Sequence, residues 1–426
     1  MTITLHPGAW LNELGLEPRH KRSLLWLLGS VLGNSVFCRL TVFGSAFVLF
    51  LDHLGLDASR IGVILSLIPF AGLLALVCTP FVARIGYRRA YISFFAVRKA
   101  AISLLLVLPW VYSSWGARAG LLWVAGLVLA FAVCRAIGEI GGYALFQEVV
   151  PNAIRGRFGA ATYAAVTVSG IPATLLAGWV LRGTPGTARY LWVIGIGVLF
   201  GAASVAALGF VRGGAPERRA ADEPTAFGEM RAAARDGNFV RYLAGICCAS
   251  LALSVFAFAP LFMKETVGLS PSTIVWLEAA ASAGALIAAS FWGRAADRRG
   301  SKPVLLAGLA AFGAAAALIG TPGAVAGAAI AFAVSIAVGA AQTGWFIGAE
   351  KYLFVRCIPP ERKAGYIAVY YAVAGVANGL GPLAGGRIVE AFRGSAAPYS
   401  PLFLASAGLA VAALLLLTGL ETDKGL

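Results

Sequence analysis

Long apolar stretches, each about the length of a bilayer crossing, recur from one end of this chain to the other, and they limit its fold more than any other feature. A helix needs ~20 apolar residues to cross ~30 Å of hydrocarbon. Twelve stretches meet that need: 24–50, 61–83, 90–112, 119–148, 158–181, 189–211, 240–263, 273–293, 303–320, 325–353, 364–388 and 398–420. With 59% hydrophobic residues, 12% charged and a mean hydropathy of +0.83, the 426 residues hold too little polar surface to cover a soluble globule. Lipid is therefore an expected partner of the chain.

In a soluble protein a net charge of +15 suggests nucleic acid, but here most basic residues lie in short loops between apolar runs. No nucleic-acid partner is expected. Lys and Arg concentrate in the termini and even-numbered loops, and Arg39 and Arg135 are read as the basic residues inside spans. Both termini should then face the cytoplasm across an inner (plasma) membrane. Tryptophans near span ends, among them Trp26, Trp110, Trp179, Trp192 and Trp292, form the expected interfacial belt. Residues 1–22 carry charge of both signs and no signal-peptide core, so the first span serves as the targeting element.

The chain also repeats itself. LGLDASRI at Leu54–Ile61 returns as VGLSPSTI at Val267–Ile274, and each copy leads through an apolar run into a basic loop, PFVARIGYRR from Pro80 and GRAADRRGSK from Gly293. A second repeat, VPNAIRGRFGAATYAA from Val150 and IPPERKAGYIAVYYAV from Ile358, leads into spans 5 and 11. This duplication yields a cytoplasmic segment 1–23, a six-helix half 24–211, a polar linker 212–239 with a short helix around Ala226–Arg235, a second half 240–420 and a tail 421–426. The glycines and proline of GPLAGG (Gly381–Gly386) read as close helix contacts with one weakened turn.

The later loop carries Gly293, Asp297, Arg298, Gly300 and Lys302 in the pattern G-x-x-x-D-R-x-G-x-K, which resembles the signature loop of the major facilitator superfamily. In the earlier loop Pro80 replaces the first glycine and Arg84 the aspartate, with Arg88 following. The resemblance covers nearly the whole chain. It implies an all-α membrane protein of twelve helices, with 3+3 inverted repeats in each half and a substrate site near the midplane reached by alternating access. A carboxylate is favoured at a helix N-terminus, so Asp297 is expected as a conformational lock near Gly156 and Phe158 at the start of span 5, paired with Arg155 or Arg157 in the outward-open state.

Charge inside a span costs ~2.5–3.5 kcal/mol even on a lenient scale, so such residues point to function. Three are read as deep: Arg39 in span 1, Arg135 in span 4, and Glu139 one turn after Arg135 at ion-pair spacing. Spans 1 to 3 offer Arg39 no carboxylate at comparable depth. An arginine in span 1 and an arginine with an acid in span 4 resemble the organic anion symporters of the superfamily; span 4 compares equally with the drug:proton antiporters. Further candidate substrate contacts are Asn34, Gln342, Trp345, Tyr370, Tyr371 and Asn378, and Glu278 joins Glu139 as a candidate proton carrier. On this reading the protein moves a small anionic solute by secondary active transport, with one proton, carried by Glu139, expected to accompany each monoanion.

Other classes fit less well. A proton-coupled exporter of apolar or cationic drugs would use the same acid, and a non-transporting scaffold or sensor would need no site. Six cysteines without C-x-x-C spacing and three histidines outside the spans supply neither a metal cluster nor a catalytic dyad, so no enzyme and no cofactor are expected. Gly195, Gly197 and Gly201 lack the preceding strand of a dinucleotide fingerprint. A monomer is expected.

Overall fold

The computed structural model describes residues 18–151, 155–183, 186–212, 226–359 and 363–422, and among them every regular element is helical. Helices α1 (Pro18–Leu40) and α2 (Ser45–His53) make the first span, and α3 (Ala58–Ala71) and α4 (Leu74–Ile85) the second. The third is α5 (Tyr87–Ser103) with the first turns of α6 (Leu108–Val149), and the rest of α6 is the fourth. Spans five and six are α7 (Arg155–Gly183) and α8 (Ala188–Gly209), and the linker carries α9 (Ala226–Ala233). Then follow α10 (Gly237–Ser254) with α11 (Ala259–Glu265), α12 (Pro271–Arg299), α13 (Ser301–Gly320), α14 (Gly327–Tyr352), α15 (Lys363–Ala391) and α16 (Ser400–Thr418). The fold is that of twelve membrane-spanning helices.

Local sequence explains the interruptions. Gly116 takes φ 77° and ψ 174°, which a residue with a side chain resists, so α6 is kinked there and the long helical run Tyr87–Gly142 contains two crossings. Pro109 and Pro260 open the helices that follow 3-10 turns at Leu104–Val107 and Val255–Phe258, where a missing N–H costs nothing. The second span is divided, not continuous over 61–83: Pro69 lies in the last turn of α3, and the helix stops at Ala71.

By contacts the chain forms two compact units, one of Met1–Phe47 and Leu74–Arg218, the other of Val48–Leu73 and Arg219–Leu426. In the first, Leu24, Leu28, Phe95, Leu145, Phe158 and Leu208 form a buried cluster that joins α1, α5, α6, α7 and α8. In the second, α3 lies along α15 because both present glycines: Gly62 meets the carbonyl of Pro382, and Gly386 meets that of Ala58, with no room for a Cβ at either. This contact places 48–73 in the second unit although the repeat counts them with the first half. Lys264 pairs with Asp52 in the same unit. Helix α9 is fastened to the start of α15, where the Gly365 N–H donates to Glu229 Oε2 at 2.7 Å.

The repeat recurs as matched local geometry. Asp57 caps α3 by accepting from the Arg60 N–H at 2.8 Å, and Ser270 caps α12 by accepting from the Thr273 N–H at 3.3 Å. In the two basic loops the chain turns through Gly86 (φ 95°) and Gly300 (φ 88°). Two residues beyond each, a basic side chain closes the last helix of its own unit. Arg88 donates to the carbonyls of Gly209 and Val211, both at 2.9 Å, and Lys302 to those of Thr418 and Leu420 at 2.8 and 2.6 Å. A cation there meets the negative end of the helix dipole and its unused carbonyls. Lys302→Gln should lower stability by about 1 kcal/mol, read as a drop in the melting temperature of the purified protein, whereas Lys302→Arg should melt close to wild type.

Candidate functional site

The interior of the first unit gathers charge around Glu139. Gly138, Gly141 and Gly142 bracket that residue and let α6 come close to Phe94, Tyr87 and Tyr91 of α5, which sets Glu139 beside the next turn of α5. That turn carries Arg98 and Lys99. Glu139 Oε1 accepts from Arg135 Nε at 2.8 Å and lies 3.5 Å from Arg98 Nη1. From α1, Asn34 Oδ1 accepts from both Arg98 Nη2 and Lys99 Nζ, each at 3.0 Å. The Cys38 sulfur lies 3.9 Å from the same oxygen.

Burial and aromatic rings shape this cluster. Arg98 and Lys99 are only 3% and 4% exposed, while the side chains of Arg135 and Glu139 are 34% and 37% exposed. The Lys99 ammonium sits 3.1 Å from the Phe95 ring centroid, the Arg98 guanidinium 4.5 Å from it, and Arg135 4.8 Å from that of Phe43. Such faces attract a cation by about 0.5–2 kcal/mol, less than an opposing charge supplies at that depth. Among the described residues of the first unit the carboxylates are Glu139 and Glu148, and Glu148 is exposed at the end of α6. Arg39 completes the basic set from mid-span and lies along α7, where a methyl group on Gly170 would come within 3.2 Å of its Nε.

The reading that Arg39 and Arg135 are the basic residues inside spans is therefore corrected. Arg98 and Lys99 fall within the stretch 90–112, and the structure places both in the interior, held by Asn34 and Glu139. The visible signal was the Arg-Lys pair inside the apolar run FFAVRKAAIS.

The second unit holds the other candidates, and they do not form one cluster. Trp345 is 3% exposed, packed where α14 crosses α13 at Gly308. Gln342 and Glu278 are half-buried on α14 and α12. Tyr370 stacks on Tyr242 with centroids 6.3 Å apart and meets Tyr371 edge-on, and Tyr371 is largely exposed. Asn378 donates to the Ala374 carbonyl of its own helix at 2.8 Å. In the loop, Asp297 pairs with Lys351 of α14 at 2.7 Å, and Lys351 also donates to the Ala296 carbonyl at 3.0 Å. The side chains of Arg155 and Arg157, its expected partners, lie outside the described residues. Arg298 and Arg84 are exposed, and Gly293 has open space around it.

The fold has counterparts among known proteins. Residues 242–425 match the family model of the Major Facilitator Superfamily, and solved transporters match nearly the whole chain. A bacterial homolog of the human lysosomal transporter Spinster, inward-facing and unoccupied, aligns with a TM-score of 0.66 at 17% identity over 95% of this chain and 96% of that one. The D-xylose-proton symporter aligns with a TM-score of 0.74 at 13% identity over 95% and 98%. The chain has the fold of these transporters, and its second half matches the facilitator family. The nucleoside transporter NupG is similar to the same facilitator fold, with a TM-score of 0.66 at 16% identity over 92% of this chain and 98% of that one. At these identities the likeness is one of fold. No curated protein matches by sequence.

In the first unit Asn34 is the neutral hinge of the charged cluster, one amide oxygen shared by two cations. Asn34→Asp keeps the shape and adds the missing charge. Charged hydrogen bonds contribute more than neutral ones by about 1 kcal/mol, so this variant should melt at a higher temperature than wild type, and Asn34→Leu at a lower one.

Proposed function

We propose that this membrane protein is a secondary active transporter of a small organic anion, moved by alternating access and coupled to protons through Glu139. The observation that carries the reading is the balance of charge in the first unit: Arg98, Lys99 and Arg135 surround a single carboxylate, and Arg39 adds a fourth cation at mid-span. Each ionised side chain at that depth is costly, and an arriving anion offsets the excess. A cationic solute would add to it, which argues against the drug-exporter reading. Guanidinium groups suit the task because their planar fork matches a carboxylate or phosphate.

Glu139 is the coupling residue in this scheme. It holds Arg135 and Arg98 with one oxygen, so an anion that engages those two guanidinium groups frees the carboxylate to take up a proton. Substrate and proton then bind together, and each raises the affinity for the other by the same factor. A lipid-embedded chain with cytoplasmic termini in a bacterial-type inner membrane suits the distribution of its basic loops.

Two sets of variants test this. Arg39→Lys should weaken substrate binding and Arg39→Ala should weaken it further, by about ten- to a hundred-fold; normal binding in Arg39→Ala would make that residue structural. In proteoliposomes, Glu139→Gln should lose accumulation driven by a pH gradient while retaining substrate exchange. Accumulation that survives in Glu139→Gln would remove Glu139 from the coupling step.

A further inference from the structure

Resting on that anion reading, we propose that the site takes a doubly charged oxyanion, a dicarboxylate or a phosphomonoester, and that Arg98 and Lys99 receive it in place of Asn34. The two basic side chains are almost wholly buried, yet they share one neutral acceptor: Asn34 Oδ1 receives a hydrogen bond from each at 3.0 Å. Arg98 Nε is buried with no hydrogen-bond partner. A guanidinium offers five N–H donors and an ammonium three, so Asn34 Oδ1, with Glu139 Oε1 3.5 Å from Arg98 Nη1, leaves part of this capacity unused. Buried polar groups ordinarily find partners. The unused donors therefore mark a place where oxygen atoms of a ligand belong.

The charge of that ligand follows from the same cluster. Arg98, Lys99 and Arg135 are three cations, and Glu139 is the carboxylate among them. The cations outnumber the carboxylate, and more so once Glu139 takes up its proton. A monoanion offsets one charge of that excess in surroundings of low dielectric, and a dianion offsets two. The donors also differ in kind. Arg98 presents a fork suited to two oxygens of one carboxylate or phosphoryl group, and Lys99 presents a point charge suited to a third oxygen. One tetrahedral phosphoryl group, or two carboxylates on a short chain, meets both.

Isothermal titration calorimetry of the purified full-length protein with two matched pairs tests this proposal. One pair is a four-carbon dicarboxylate and the four-carbon monocarboxylate; the other is a short alkyl phosphate and the alkyl sulfate of the same length, which share a tetrahedral shape and differ in charge near pH 7.5. The expected result is that at least one dianion binds tenfold or more tightly than its singly charged twin, and the pair that shows this preference tells carboxylate from phosphate. Lys99→Met should reduce the preference while the monoanion's affinity changes less, and Lys99→Arg should retain it. Equal binding of twins in both pairs would overturn the dianion proposal and leave the anion reading standing. Binding of none of the four probes would overturn both, and binding of an organic cation in their place would do the same.

Discussion

A charge inside the membrane needs an opposing charge, and in the first unit of this protein one carboxylate is set among several cations. Glu139 reaches Arg135 at 2.8 Å and Arg98 at 3.5 Å, and Asn34 holds Arg98 and Lys99 with an amide oxygen. The remaining structure of that unit serves this contact. Glycines on α6 bring Glu139 to α5, Phe95 lies beneath Lys99 and Arg98, and the apolar cluster from Leu24 to Leu208 fixes α1 against both helices. Exposing Glu139 and Arg135 by about a third while burying Arg98 and Lys99 leaves the cluster reachable from one side. A ligand can then exchange with protein groups as the partner of the same cations.

The second constraint is the bilayer itself, which obliges backbone groups to find partners within the protein. Helix ends are where that demand falls hardest, and the duplicated loops meet it alike. Arg88 and Lys302 each follow a left-handed glycine and each close the carbonyls of the last helix in their unit. The structural match runs one residue out of step with the sequence repeat, since Gly86 corresponds to Gly300 and Arg88 to Lys302. Lys302 thus has a structural duty beside any role in conformational change, and Asp297 is tied to Lys351 in its own unit.

Much of the fold was legible because crossing length and apolarity are local properties. The twelve spans, the linker helix beginning at Ala226 and the close helix contacts of GPLAGG were read from residues near one another in the chain. Span limits shifted where a local breaker acted: Pro69 ends α3 early, and α1 begins at Pro18, ahead of the apolar run. The pairing of Arg135 with Glu139 was also legible, at one turn's spacing on one helix. Asn34 as the shared acceptor was not, because it joins residues 64 and 65 positions away in a different span. Arg98 and Lys99 carried a signal that composition by loop obscured, two basic residues within an otherwise apolar run. Lys351 as the partner of Asp297, 54 positions along the chain, needed the packing of α12 on α14.

The central claim is that Arg98 and Lys99 form the floor of an anion site, and anomalous diffraction from crystals grown with selenate tests it most directly. Selenate is a doubly charged tetrahedral oxyanion whose selenium can be located without reference to the protein density. An anomalous peak beside Arg98 Nε and Lys99 Nζ, with oxygens within about 3.2 Å of both and the Asn34 amide turned away, is the predicted result. Selenate bound elsewhere in the protein, with Asn34 still holding both side chains, would contradict it.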